Sequence, residues 1–79
     1  MPSIPNHSTQ SQTVDIVLNG EPKSVPAGLS VWELLLDLGV DPEKVAVELN
    51  RAIVRQPDWR ERKVEDGATV EIVQFVGGG

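Results

Sequence analysis

The feature that most limits the fold of this chain is a single helical segment with clear start and stop signals. Ser30 and Glu33 have the spacing of a capping box, in which each side chain accepts a hydrogen bond from the backbone amide of the other residue. Gly39 stands where a left-handed residue commonly ends a helix, and Pro42 opposes continuation. The apolar residues between these signals have the spacing of one buried helix face: Val31, Leu34, Leu35 and Leu38.

Short segments of alternating polarity surround this helix and predict strands. The first, Thr13–Leu18, is followed by Asn19-Gly20, which favours a type I′ hairpin turn, and by a returning strand at 21–25. After the helix we expect Val45–Leu49, a turn at Asn50-Arg51 whose type stays open, Ala52–Val54 and 69–75 as strands. Further turns are predicted at Asp58, as the start of a short helical turn, and at Asp66-Gly67.

The order of these elements fits one helix packed on a small mixed sheet of about five strands. This α+β plan is that of the β-grasp, or ubiquitin-like, fold. With 79 residues the chain is long enough for one domain, which we place at 13–76. Residues 1–12 are poor in large apolar side chains and are predicted to form a flexible tail, as are the glycines at 77–79.

The composition excludes several classes of function. The chain has no cysteine, which removes thiolate nucleophiles and sulfur-ligated zinc, and its one histidine, His7, lies in the predicted tail. A net charge of −5 opposes nucleic-acid binding, which needs a basic face. No apolar stretch is long enough to span a membrane, and no signal peptide is recognisable. We therefore expect a cytoplasmic protein that is not an enzyme and holds no metal.

Most other distinctive side chains have structural interpretations. Trp59 is expected to pack over one end of the core, whereas Trp32 and Leu36 either pack at its edge or contact a partner. The basic cluster is interpreted as solvated surface: Arg55, Arg60, Arg62 and Lys63. The neighbouring carboxylates are interpreted as turn and cap residues: Asp41, Glu43, Glu65 and Asp66.

One face of the predicted sheet points away from the helix. If the alternation continues along the first and last strands, Val17, Val73 and Phe75 lie on that face. Apolar side chains exposed there would form a patch for docking a partner protein. Phe75 is the leading candidate because it borders the C-terminal glycines.

The chain ends in Gly77-Gly78-Gly79, directly after the last predicted strand. Such a run by itself would also suit a frayed terminus. A tail without side chains can, however, thread a narrow channel in a partner and adopt the backbone angles imposed there. Its ionised α-carboxylate could then attack the α-phosphate of ATP and become an acyl-adenylate. Gly79 is therefore the candidate reactive residue, and Gly77 and Gly78 are the candidates for threading into the partner's site.

Four segments together resemble a known family. They are VAVELN at 45–50, IVRQPDW at 53–59, EDG at 65–67 and VEIVQFVGGG at 70–79. In order and spacing they are similar to the ThiS family, the sulfur carrier proteins of thiamine biosynthesis. The resemblance covers 13–79, whereas the N-terminal tail has no counterpart in the usual family pattern. Arg51 replaces a glycine often found after that asparagine, which affects a turn and not the chemistry.

The resemblance implies a mechanism centred on Gly79. An adenylyltransferase of the ThiF type would use ATP to adenylate Gly79. A persulfide sulfur from a donor such as a cysteine desulfurase would then displace AMP and leave a thiocarboxylate. Thiazole synthase, ThiG, would accept that sulfur while forming the thiazole ring of thiamine. The chain itself would bind no cofactor, because ATP belongs to the activating partner.

The same chemistry also serves other clients, which stay open as alternatives. These are the small subunit of molybdopterin synthase, carriers for tRNA thiolation and ubiquitin-like modifiers conjugated to lysine. The molybdopterin-synthase subunits tend to have a proline on the approach to the diglycine, which Phe75-Val76 lacks. A rival of another class is a non-covalent interaction module, which would tolerate residues added after Gly79.

Overall fold

The computed structural model describes residues 12–75. Within them the predicted elements follow in the predicted order: β1 (Thr13–Leu18), β2 (Glu21–Pro26), α1 (Val31–Leu38), β3 (Val45–Leu49), β4 (Ala52–Val54) and β5 (Thr69–Gln74). Short 3-10 turns at Pro42–Lys44 and Gln56–Asp58 precede β3 and follow β4. The predicted tails at 1–12 and 77–79 lie outside the described residues except for Gln12, whose carbonyl accepts the Ala27 amide at 3.2 Å. Val76 is also outside them, and the proposed domain limits stay predictions.

The five strands form one mixed sheet in the order β2-β1-β5-β3-β4. β1 and β5 are parallel, and every other pair is antiparallel. The antiparallel hairpins turn at Asn19-Gly20 and Asn50-Arg51, and all four of these residues have positive φ, from 50° to 85°. This pattern is that of type I′ turns, which match the twist of the strands. Arg51, at φ 72°, is the costly member, because a side chain opposes this conformation by about 1 kcal/mol.

The hydrophobic core lies between α1 and one face of this sheet. Val31, Leu34 and Leu35 of the helix are buried, and Leu38 is partly buried. The sheet contributes buried residues from all five strands, namely Ile16, Val25, Val47, Val54 and Val70. The predicted helix face and the one-helix, mixed-sheet fold are therefore confirmed.

Both predicted signals at the ends of α1 are present. The Glu33 amide donates to Ser30 Oγ at 3.1 Å, and the Ser30 amide donates to Glu33 Oε1 at 2.9 Å. The hydrogen bond from the Ser30 amide, then the Ser30 side chain and the nearby Lys63 charge, lower the pKa of Glu33 below its ordinary value of 4.5. At the other end Gly39 is left-handed, with φ 76°. These contacts satisfy backbone groups that a helix leaves free at its ends.

Two strand ends differ by one residue from the prediction, and the first is that of β2, which runs to Pro26 and not to Val25. β5 ends at Gln74 and not at Phe75, although the Phe75 amide still donates to the Lys44 carbonyl at 2.7 Å. Phe75 is therefore still held by the adjacent chain. Asp58 ends a 3-10 turn, and its carbonyl also accepts the Glu61 and Arg62 amides at 3.1 Å, so the predicted turn that starts at Asp58 is present.

Candidate functional site

The position of β5 decides where the C-terminal residues leave the fold. β5 lies in the middle of the sheet, between β1 and β3, and the last described residue, Phe75, directly follows it. Gly79 is four residues further along the chain. An extended chain of that length reaches at most about 14 Å. The candidate residues Gly77, Gly78 and Gly79 lie outside the described residues, and their roles stay predictions.

The side chains predicted on the sheet face opposite α1 are exposed there. Val73 is 59% exposed and Phe75 is 58% exposed, whereas Val17 of β1 is 38% exposed. Val17 follows the buried Ile16, and Val73 follows the partly buried Ile72, as strand alternation requires. We call this surface the outer face and define it by Val17, Ile53, Val73 and Phe75. The structure brings the three predicted residues to one face, and their docking role stays a prediction.

Two features of the outer face were not predicted from the sequence. Ile53 of β4 is 73% exposed, and the register places it opposite Glu48 of β3. Glu48 in turn lies opposite Glu71 of β5, so two carboxylates are cross-strand neighbours on this face. Such a pair opposes folding, because like charges directly opposite each other repel. The two-residue turn at Asn50-Arg51 fixes the pairing of Glu48 with Ile53 and could have revealed it from sequence, whereas the pairing of Glu48 with Glu71 joins strands that are distant in the chain.

Trp59 and Trp32 have different environments. Trp59 is 3% exposed, and its indole Nε1 donates to the Val54 carbonyl at 2.7 Å, which confirms its predicted place in the core. Trp32 is partly buried, and the guanidinium of Arg60 lies 4.2 Å from its ring centroid. Leu36 is 53% exposed on the helix. Trp32 is thus covered by a neighbouring side chain, whereas Leu36 is open to contact.

The predicted surface and turn residues have structural partners. Asp41 accepts the Glu43 amide at 3.0 Å, and Asp66 accepts the Asp15 amide at 2.9 Å, which confirms a cap and a turn role. In the exposed basic cluster, Lys63 Nζ donates to the Gly28 carbonyl at 3.1 Å. Within residues 12–75 no three histidine, cysteine or carboxylate side chains are grouped to hold a metal ion. The single helix of this part is too short to cross a membrane.

Comparison with known proteins adds the decisive observation. A family model described as the ThiS family matches residues 16–79, from β1 through the terminal glycines. The chain belongs to the ThiS family. The crystal structure of the thiamine biosynthesis protein ThiS from Geobacter metallireducens is 38% identical, with a TM-score of 0.73 over 84% of this chain and 100% of that one. This agreement confirms the β-grasp fold.

Two curated relatives of the chain differ in length. The sulfur carrier protein ThiS of Thermus thermophilus is 37% identical over 78% of this chain and 95% of its own length. A thiazole synthase of Paramagnetospirillum magneticum is 47% identical over 81% of this chain. The chain spans only about 20% of that thiazole synthase. A ThiS-like segment therefore occurs both as a short protein and as part of a larger polypeptide.

Proposed function

We propose that this chain is a sulfur carrier of thiamine biosynthesis and that its reactive group is the α-carboxylate of Gly79. The supporting observation is the extent of the family match, which runs through residue 79. The glycine run after β5 thus belongs to the family sequence. The similar protein from Thermus thermophilus, which this chain matches over almost its full length, is named a sulfur carrier.

The proposed chemistry begins with activation of a poor acyl group. The Gly79 carboxylate attacks the α-phosphate of ATP in a ThiF-type adenylyltransferase, which forms the acyl-adenylate and releases pyrophosphate. A persulfide from a donor such as a cysteine desulfurase displaces AMP, and cleavage of the sulfur–sulfur bond by a thiol leaves the thiocarboxylate. Gly77 and Gly78 have no side chains, which suits passage of the tail through a narrow channel.

In this scheme the chain is a co-substrate of enzymes and not itself a catalyst. The proposed sulfur acceptor is thiazole synthase. The Paramagnetospirillum magneticum relative supports this choice, because a segment similar to this chain belongs there to a polypeptide named thiazole synthase. Since activation consumes ATP, we place the reaction in the cytoplasm.

The outer face is the proposed docking surface for the activating enzyme. Val17, Val73 and Phe75 provide exposed apolar area on this face, and Glu48 and Glu71 place negative charge beside them. A partner with an apolar patch and a basic side chain would relieve the repulsion between the two carboxylates. The net charge of −5 acts in the same direction by attracting basic surfaces.

The test is the intact mass of the chain after incubation with an active ThiF-type enzyme, ATP and a persulfide donor. We expect a gain that equals the replacement of one oxygen atom by sulfur. Deletion of Gly79, or addition of one alanine after it, should abolish the gain. A wild-type chain that keeps its mass with partners of demonstrated activity would exclude the proposed function. A gain that persists without Gly79 would exclude the proposed site.

A further inference from the structure

The two outermost strands of the sheet offer little backbone for pairing with another chain. In the β1–β2 hairpin, Leu18 pairs with Glu21 across the two-residue turn, and alternate pairs beyond it exchange hydrogen bonds. Pro22 and Pro26 belong to the alternate pairs that exchange no hydrogen bonds with β1, so a backbone N–H at these positions would point away from the sheet. Proline has no N–H, so it blocks the addition of a strand at such an edge. The opposite edge strand, β4, has only three residues.

The edge of β5 that faces β1, here called the inner edge, extends beyond the last residue of β1 that pairs with it. β1 pairs with β5 only at Val17 with Thr69 and Leu18 with Val70, after which the chain turns away into the hairpin. On its other side, β5 pairs with β3 as far as Gln74. Within the described residues the second half of β5 therefore has a strand on one side only.

The side chain of Asn19 occupies the next position along this inner edge. Its Oδ1 accepts the Ile72 amide at 2.8 Å, and its Nδ2 donates to the Ile72 carbonyl at 3.3 Å. These two contacts reproduce what a neighbouring strand would supply. The Asn19 side chain binds Ile72 but not Gln74, which is the next β5 residue whose backbone faces the same side.

The backbone of Gln74 faces the same open side. The Phe75 amide donates to Lys44 on the β3 side, so the next pair, Gln74 with Val45, is of the kind that exchanges no hydrogen bonds. The N–H and C=O of Gln74 consequently point away from β3, toward the space beyond Asn19. Among residues 12–75 no hydrogen-bond partner for these two groups is present. They can receive one residue of an extended chain.

An apolar groove lies beside this free backbone. It has a volume of about 300 Å³, and we call it the edge groove; its lining residues are Leu18, Asn19, Leu38, Val40, Ile72 and Gln74. The four apolar members are only partly buried. A strand laid along β5 would direct alternate side chains toward α1, so one apolar side chain could enter this groove.

The charge around the edge groove favours a basic occupant. The groove lies at the C-terminal end of α1, where the helix dipole is negative, and the last turn has no basic residue. Asp37 and Asp41 flank this end in the sequence, and both are exposed. An extended segment with one apolar and one basic side chain would match both the groove and its border.

We propose that the sulfur acceptor, thiazole synthase, adds such an extended segment to β5 at Gln74. The inference rests on the proposed function. Because the tail beyond Phe75 reaches at most about 14 Å, the enzyme that receives Gly79 must cover this end of the molecule. The main-chain hydrogen bonds would provide affinity and the edge groove would provide specificity, as in other cases of strand addition.

The first test removes the proposed donor without removing a bond of the fold. In Gln74→Pro the lost N–H is the one that points away from β3, so the sheet should persist, which circular dichroism and thermal unfolding can check. The control is Ser24→Pro, which removes an outward N–H from β2 together with the exposed hydrogen bond from Ser24 Oγ to Asp15 Oδ1. Calorimetric titration with intact thiazole synthase should show about tenfold weaker binding for Gln74→Pro and wild-type binding for Ser24→Pro. Equal affinities for all three chains, or equal losses in both variants, would overturn the proposal.

The second test needs no variant and therefore does not depend on the folding of Gln74→Pro. Amide hydrogen exchange, resolved by NMR, should show that the Gln74 amide is slowed when thiazole synthase binds, while the Ser24 amide is unchanged. Exchange of Gln74 at its free rate in the saturated complex would overturn strand addition. If the wild-type chain meanwhile gains its thiocarboxylate, only this inference fails; absence of the thiocarboxylate is the failure of the proposed function.

Discussion

Asparagine occupies the first position of both tight turns, and each of these residues also binds the backbone of β5. Asn19 contacts Ile72 through both side-chain atoms, and Asn50 Oδ1 accepts the Thr69 amide at 2.9 Å. Asparagine tolerates positive φ, which explains the turns from local sequence alone. Its second role depends on a strand that is 53 residues away in the case of Asn19. β5 is thus bound by Asn50 at its first residue and by Asn19 at Ile72.

The capping residue Glu33 should make part of the stability depend on pH. Its folded-state pKa is lowered, so its charged form stabilises the fold fully above the unfolded pKa, near 4.5, and this contribution disappears as the pH falls through the folded value. Glu33→Gln keeps a hydrogen-bonding group at this position but has no charge. We therefore expect it to remove the pH-dependent contribution of Glu33 to the free energy of unfolding. The measurement is the free energy of unfolding in urea between pH 6 and about pH 3.

The informative quantity in that experiment is the free energy of unfolding of the wild type minus that of Glu33→Gln at each pH. The other carboxylates titrate equally in both, so their contributions cancel when the variant is subtracted from the wild type. The difference should shrink toward acid pH. A difference that stays constant, or grows toward acid pH, would contradict the assigned shift.

At the scale of elements, α1 is stabilised by the burial of one face. Leu35 is completely buried, so Leu35→Ala removes apolar contacts and leaves a cavity. We expect a loss of about 2–5 kcal/mol in the free energy of unfolding. Because the stability of a whole domain is only about 5–15 kcal/mol, the variant should melt at a clearly lower temperature.

The neighbouring residue provides the control for this substitution. Leu36 is the same residue type in the same helix but is 53% exposed, and Leu36→Ala should change stability by about 0.5 kcal/mol or less. Both variants can be compared by thermal unfolding followed by circular dichroism. Equal losses at the two positions would mean that the helix face has been misassigned.

At the scale of the whole molecule, two surfaces converge where the tail leaves the fold. The outer face presents Val73 and Phe75, whereas the edge groove opens on the other side of β5, between α1 and the β1–β2 hairpin. Under the proposed function, the chain meets an activating enzyme and a sulfur acceptor in turn with one reactive terminus. Separate surfaces at the base of the tail would let each partner be recognised independently.

The proposed docking of the activating enzyme can be tested at Phe75. Phe75→Ala removes the largest exposed side chain of the outer face and should lower kcat/KM for adenylation about tenfold or more, with little change in stability. Pyrophosphate release by the ThiF-type enzyme measures the rate. Leu36→Ala is the control, since it removes similarly exposed apolar surface elsewhere. Unchanged kinetics for Phe75→Ala would exclude its docking role.

Local signals in the sequence determined the elements of this fold. The capping box at Ser30, the helix face and the Asn19-Gly20 turn act over a few residues, so they can be identified without knowledge of the rest of the chain. Hairpin register follows from turn length, and strand alternation then predicted the exposure of Val17, Val73 and Phe75. The glycine run and its approach likewise identified the family through short, ordered motifs.

Contacts between distant segments were decided only by the tertiary structure. The place of β5 between β1 and β3 depends on packing across the whole chain, and with it the pairing of Glu48 with Glu71. The Gln74 backbone groups have no partner among residues 12–75 because β1 turns away two residue pairs after it meets β5. No local pattern encodes that offset, since it results from the fit of the helix and both hairpins around one core.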